Sequence, residues 1–323
     1  MNITKLFLIS ACLFFLTSCS SLPAKNTGRS RPSPGQARLK NINSESNDKK
    51  TDSERGISET GDKKSAEGNT KTQVPAGRPG ADSAHSGPDP SSLSNSLMAW
   101  WFMRTKDHSQ PSAQEEIDLG KYDAWYVKTN LKPGEKPVFL TFDCGYENGF
   151  TPSILDTLKK HKAPAAFFVC KYFIKDQPEL IKRMKKEGHI VGNHTANHIC
   201  MPRASEREIR KEIADNASFM KEQTGYEMDP FFRPPKGEYS ERTLQITKDM
   251  GYTTVFWSLA YVDYDVDKQP GAGYVIDHFK QYIHPGAIPL IHNISRSNAE
   301  ALDQVLTDLE KEGYSFHSLT DLI

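Results

Sequence analysis

From Lys136 to Ile323, short apolar runs alternate with amphipathic stretches, and turn residues mark the joints. The runs "PVFLTF" (137–142), "AAFFVC" (165–170), "HIVGNH" (189–194), "FFRPP" (231–235), "TTVFWSLA" (253–260) and "AIPLIH" (287–292) are rich in Val, Ile and Phe. At that length and composition they predict buried strands, with "YSFHSL" (314–319) as a closing seventh. Between them, "TPSILDTLKKHK" predicts a helix with Thr151 as N-cap and Pro152 at its first position. "DQPELIKRMKKEG" predicts one closed by Gly188, and "SEREIRKEIADNASFMKEQTG" opens on a capping box, Ser205 with Glu208, and ends at Gly225. "SERTLQITKDMG", "AGYVIDHFKQYI" and "NAEALDQVLTDLEKEG" complete the helices.

Strands that alternate with helices pair in parallel, so the fold class expected is α/β, a distorted (β/α) barrel of about seven parallel strands. A stretch of about 190 residues suits one such domain, placed at 136–323. In barrels of this kind the chemistry gathers where strands end, which gives a filter for every polar residue in the chain.

Upstream the pattern changes twice. Residues 94–135 contain "SLMAWWFMR" and "KYDAWYVKTN", aromatic-rich segments expected to pack on the barrel as an N-terminal extension. Residues 19–93 are dominated by Ser, Gly, Asn, Asp, Lys and Pro, cannot bury enough apolar surface to fold, and are expected to form a disordered linker preceding the barrel. Residues 1–18 carry Lys5 and an apolar run from Leu6 to Leu16, too short to span a membrane and suited to a signal peptide. With 41 basic and 41 acidic side chains, charge gives no reason to expect a nucleic-acid partner.

The strand-end filter selects Asp143 and Cys144, His194 and His198, Arg233, Asp263 and His292. His194 and His198 stand four apart in "HTANH"; on a helical turn both imidazoles would face one point and could ligate one divalent metal. His284 and the other histidines lack such a setting and are expected to be structural or solvated. Cys12 and Cys19 belong to the export segment, leaving three cysteines, an odd number that excludes complete internal pairing.

Together these residues resemble the polysaccharide deacetylases of carbohydrate esterase family four. The resemblance covers about residues 136–323 and five motifs in order: "TFDCG", "HTANH", "RPPKG", "VDYD" and "IPLIH". Within the family, "TFDCGYENG", the aromatic extension and "FWSLAYVDY" are similar to the delta-lactam-biosynthetic de-N-acetylases of spore formers. The resemblance implies hydrolysis of N-acetyl groups on peptidoglycan muramic acid residues that lack stem peptides, a step toward the muramic delta-lactam of spore cortex. It further implies a divalent metal, Zn2+ by expectation, on His194 and His198, with Asp143 as general base and Arg233 keeping it ionised. His292, held by Asp263, is the implied acid, and the Lys236 backbone N–H the implied oxyanion donor. "LTSC" resembles a lipobox, implying a chain exported and anchored on the extracytoplasmic face of the membrane through lipidated Cys19. The linker would then be a tether with a reach of roughly 50 Å, and the enzyme is expected to work on glycan strands as a monomer.

Two departures qualify the resemblance. Where the family places a metal-binding aspartate this chain has Cys144, and three readings follow: a thiolate completing a His-His-Cys zinc site, a bystander beside a two-histidine site, or no metal at all. Ala260 and Tyr264 replace an aspartate and a tryptophan, while Asp263 is retained. The competing functions are an N-acetylglucosamine deacetylase, an O-acetyl esterase on another wall polymer, and a non-catalytic glycan-binding lipoprotein.

Overall fold

A computed structural model describes residues 87–323; the expected signal segment, Cys19 and most of the expected tether lie outside them. Seven strands form the main sheet: β1 (Ala124–Trp125), β2 (Leu140–Cys144), β3 (Ala165–Val169), β4 (Ile190–Asn193), β5 (Phe231–Phe232), β6 (Thr253–Val255) and β7 (Leu290–His292). Their order is β7-β2-β3-β4-β5-β6-β1, and every neighbouring pair is parallel. Isolated bridges Leu259↔Pro289 and Val127↔Ala287 link the chain beyond β6 and β1 to the segment entering β7, so the sheet curls into the expected barrel.

Alternation along the strands divides two apolar layers. On β2, Leu140, Phe142 and Cys144 join Phe167 and Val169 of β3 under the helices. Phe139, with Ala166 and Phe168 of β3, fills the barrel interior beside Ile190, Phe231, Val255 and Ile288. Gly192 is a glycine for a packing reason, since a Cβ there would come within 2.8 Å of the Phe168 ring and the Phe231 carbonyl.

Seven helices cover the sheet: α1 (Thr151–Lys160), α2 (Lys171–Asp176), α3 (Pro178–Lys186), α4 (Glu206–Thr224), α5 (Glu241–Asp249), α6 (Ala272–Tyr282) and α7 (Arg296–Lys311). The Ser205–Glu208 capping box and the left-handed Gly225 bound α4 as the pattern predicts. The start of α1 differs. Phe150 is the N-cap, Thr151 is already helical, and Glu147 accepts from the Thr151 N–H at 3.1 Å, doing from upstream what a cap side chain does. Helix α2 has no counterpart in the predicted pattern, being six residues with no cap bond of its own.

The seventh strand is also not the one predicted. "YSFHSL" contributes only Ser315–Phe316, which pair with Pro137–Val138 in a separate two-stranded ribbon. The edge strand is β1, from the segment read as an extension; its two residues are too few to show a period. Packing also begins before residue 94: Pro90–Ser92 form a 3-10 turn capped by Asp89, with Pro90 buried. Met98–Ala99 pair with Glu238–Tyr239, the Trp100 indole donates to the Trp257 carbonyl at 2.9 Å, and its ring stacks on Phe256 at 4.4 Å. Among the described residues no helix is long and apolar enough to cross a membrane.

Candidate active site

Asp143 and His292 are directly paired in register on the adjacent strands β2 and β7. Same-register residues of parallel neighbours point to the same face, so sheet geometry alone sets a carboxylate beside an imidazole at the barrel mouth.

Arg233, immediately beyond β5, reaches Asp143 from across the barrel, its Nη1 donating to Oδ1 at 2.9 Å. The guanidinium is fully buried and each of its three nitrogens has a partner, Nε on the Val255 carbonyl at 2.9 Å and Nη2 on the Phe256 carbonyl at 3.1 Å. Its Cζ lies 4.3 Å from the Phe168 ring centroid and 5.7 Å from that of Trp257, so two aromatic rings also face the cation. Burying a cation is costly unless its hydrogen bonds are met; here they are, and one ends on a carboxylate. Burial pushes Asp143 up, but Arg233, then His194 and His292, outweigh it and hold the carboxyl below its ordinary range. Asp143 is therefore ionised at neutral pH.

His194 and His198 follow β4 on a loop, not on the helical turn that their spacing suggested. Thr195 and His198 are left-handed at φ 62 and 54, and these two reversals bring the rings within 4.9 Å, edge to face. Helix α4 holds the loop: Asn216 donates to Asn193 Oδ1 at 3.0 Å, the Thr195 N–H donates to the same oxygen at 3.0 Å, and Glu212 accepts from Asn197 N–H at 2.8 Å. His194 Nδ1 donates to the Arg233 carbonyl at 2.7 Å, which leaves the Nε2 lone pair 3.5 Å from Asp143 Oδ2. Burial lowers the His194 pKa, and burial followed by His194 lowers His198 to about 4, so both rings are neutral at pH 7. Two neutral imidazoles, one with its tautomer fixed by a backbone carbonyl, fit a divalent cation.

Cys144 does not join them. It is one residue further along β2 than Asp143, so its side chain lies on the opposite face, fully buried in the layer beneath the helices, and its thiol points back toward the Phe142 carbonyl at 4.0 Å. Burial first and Asp143 second push its pKa well above the ordinary thiol value, the reverse of what a thiolate ligand needs. Among the described residues no group of three or more His, Cys, Asp or Glu is placed to hold a metal ion. Of the three readings of Cys144, this geometry does not support the His-His-Cys set: the two histidines converge and the thiol faces away from them.

On the other side of the mouth, Asp263 is 1% exposed and accepts from His292 twice, Nδ1 on Oδ1 at 2.7 Å and the backbone N–H on Oδ2 at 2.8 Å. Asn298 of α7 donates to the same carboxylate at 2.6 Å and accepts from the Tyr261 hydroxyl at 2.7 Å. Burial alone would lower the His292 pKa, but the charge and hydrogen bond of Asp263, with a contribution from Asp143, bring the net shift upward. Lys236 is left-handed at φ 57 between Pro235 and Gly237, and lies near enough to His198 to depress its pKa. At Gly237 a Cβ would come within 2.8 Å of the Trp257 ring, which fixes this turn against the mouth.

The residues that sequence reasoning missed are supports: Asn193, Glu212 and Asn216 under the histidine loop, Asn298 and Tyr261 behind Asp263, and Asn293. The last donates to the Tyr146 carbonyl at 3.0 Å, Glu147 at 3.2 Å and Thr151 at 2.9 Å, tying the "GYENG" turn to the residue after His292. Only position carried a signal: Asn293 adjoins His292 and Asn193 adjoins His194.

Comparison with known proteins bears on this arrangement. The family model for polysaccharide deacetylase matches residues 130–255. Peptidoglycan-N-acetylmuramic acid deacetylase PdaA of Bacillus subtilis is 46% identical over 231 residues, 71% of this chain and 87% of that protein. A peptidoglycan-N-acetylglucosamine deacetylase of Bacillus cereus is 32% identical over 214 residues, 65% of this chain and 97% of that protein. The solved structure of Bacillus subtilis PdaA, a family 4 carbohydrate esterase, superposes with a TM-score of 0.68 at 45% identity, covering 71% of this chain and 98% of that one. A parallel barrel with an Arg-held carboxylate and an Asp-held imidazole at its mouth, and these likenesses over most of its length, place the chain in one family: it belongs to the polysaccharide deacetylases of carbohydrate esterase family four, hydrolases of N-acetyl amide bonds.

Proposed function

We propose that the chain removes acetyl groups from muramic acid residues of peptidoglycan strands already stripped of stem peptides, a step toward the muramic delta-lactam of spore cortex. The observation that carries the reading is the side-by-side placement of Asp143 and His292, each charged by a buried partner of opposite sign. The choice of muramic acid rests on the 46% identity to a muramic acid deacetylase against 32% to an N-acetylglucosamine deacetylase.

Amide hydrolysis needs a proton removed from the attacking water and one delivered to the departing amine. Asp143, ionised and held by Arg233, accepts the first through Oδ2, the oxygen not bound to the guanidinium. His292, with Nδ1 on Asp263, presents Nε2 to the cleft and donates the second. The Lys236 backbone N–H is the proposed donor to the developing oxyanion. Deacetylases of this family are generally metal dependent. A divalent cation, Zn2+ in this proposal, would be held by His194 and His198 and would supply Lewis acidity and a more acidic bound water. We place the chain outside the cytoplasmic membrane as a monomer, anchored by lipidated Cys19.

The test is acetate release by the full chain, after chelation and with or without added zinc, from strands bearing stem peptides and from strands stripped of them. Zinc-dependent release from stripped strands alone is the expected result. Release from both in equal measure overturns the muramic acid assignment, and release from neither overturns the deacetylase reading.

A further inference from the structure

Helix α6 buries a histidine that the chemistry above does not use. His278 is 4% exposed, and three tyrosines surround its ring, Tyr261 and Tyr282 at 4.8 Å between centroids and Tyr274 stacked at 5.6 Å. One ring nitrogen is bonded to the Ala260 backbone, while Nε2 has no hydrogen-bond partner. Burial, the largest influence, brings its pKa down to about 4, so the ring is neutral and Nε2 offers a lone pair. The Nε2 atoms of His189 and His284 are likewise buried without a partner, so the nitrogen marks a polar place under the helix and does not by itself name a ligand.

The histidine forms part of the wall of a cavity of about 240 Å³ lined also by Arg104, Tyr274, Asp277, Gln281 and Tyr282. The Arg104 guanidinium, brought by the N-terminal extension, lies 5.3 Å over the Tyr282 ring. The side chains of Arg104, Asp277 and Gln281 have no hydrogen bond or ion pair with another described residue, so their polar groups are available. Tyr274, 48% exposed, forms the rim. Behind the lining, Tyr261 packs against Tyr274 and His278, and its hydroxyl donates to Asn298, which donates to Asp263, so a chain of side-chain contacts joins the cavity wall to the acid side of the mouth.

We propose that this cavity is a second glycan-binding subsite, which takes one sugar ring of the strand whose acetyl group is cleaved elsewhere. The lining selects that ligand class. Tyrosine faces pack on the C–H face of a pyranose, Asp277 accepts from hydroxyls, and Arg104 and Gln281 donate to an amide or carboxylate oxygen. One cation opposed by Asp277 is too little positive charge for a polyphosphate, and Arg104 across Tyr282 repels a cationic guest. A strand anchored here and reacting at Asp143 gains affinity from the tether between the two points. The assignment rests on the proposed activity toward a polysaccharide.

The experiment is titration calorimetry of stem-stripped peptidoglycan strands into the full chain carrying Asp143→Asn, with and without Tyr274→Ala and Arg104→Ala, two exposed positions whose change leaves the core intact. The expected result is a Kd raised about tenfold by the double substitution. In the chain with Asp143 intact, KM for strands rises while kcat, and hydrolysis of a single disaccharide, stay the same. An affinity for strands that the double substitution leaves unchanged within about twofold, or no binding by the parent, overturns the subsite. If the intact chain releases no acetate from any glycan, the proposed activity fails, and the titration still decides the subsite.

Discussion

The two sides of the catalytic mouth are built from the same parts in opposite order. On one side the carboxylate faces the cleft and the cation behind it, Arg233, is wholly buried; on the other the imidazole faces the cleft and the carboxylate behind it, Asp263, is buried. In each pair the deeper member is held by further hydrogen bonds, Arg233 by two backbone carbonyls and Asp263 by Asn298 and the His292 backbone. A partner held at several points has one orientation and a fixed charge, so it determines the protonation of the shallower member. Arg233 lowers one pKa, Asp263 raises the other, and a single sheet register sets the proton acceptor next to the proton donor.

Removing the acceptor breaks the comparison most severely. Asp143→Asn keeps the shape and the bond to Arg233 but cannot take a proton, and acetate release is expected to fall by about 10³-fold or more with strand binding retained. Retention of even a tenth of the activity in a release assay would mean that another group is the base. Arg233→Met tests the buried partner on the same side. It strands Asp143 without its counter-charge and frees two carbonyls, and is expected to cost about 3–5 kcal/mol in chemical denaturation. Arg233→Lys is not expected to rescue it, because an ammonium cannot span three acceptors with a planar fork.

Sequence made both members of each pair legible and left their supporting side chains hidden, for a physical reason. Asp143, His194, Arg233 and His292 sit at or just beyond strand ends, and a period of two with turn residues marks where strands end. Asn298 and Asn216 lie inside helices, at positions that a 3.6 period reads as one more polar residue. The histidine spacing suggested a helical turn because i, i+4 is a helical distance; two left-handed residues achieve the same convergence on a loop. The seventh strand escaped notice because two residues cannot display alternation, and its partners at β6 are a hundred and thirty positions away.

On the acid side the expected effect is smaller and carries a pH signature. Asp263→Asn removes the charge that raises the His292 pKa, so kcat/KM is expected to drop about 10²-fold, and its high-pH limb to move to lower pH. The sign follows from the direction of the shift. A histidine with a raised folded pKa is protonated up to that value, and it loses both its donor role and its contribution to stability as pH rises through it. Wild-type stability from this pair is thus complete below the ordinary 6.5 of a histidine and declines above it. A limb that stays in place in Asp263→Asn would mean that a group other than His292 is the acid.

The smallest effect belongs to Cys144, which lies one residue from the base and on the wrong face of its strand. If the two-sided mouth needs only Asp143, His292 and their buried partners, with the histidine pair to hold a metal, then Cys144→Ala changes packing and nothing else. Its thiol fills part of the layer beneath the helices with Phe142 and Phe167 for company, so about 1 kcal/mol of stability is expected to go with the lost volume. Zinc affinity by competition with a chromogenic chelator, and kcat at saturating zinc, are expected to match the parent chain. A fall in zinc affinity of tenfold or more would place the sulfur in the metal's coordination, and would require the end of β2 to turn its side chain from the core toward the mouth when the ion binds.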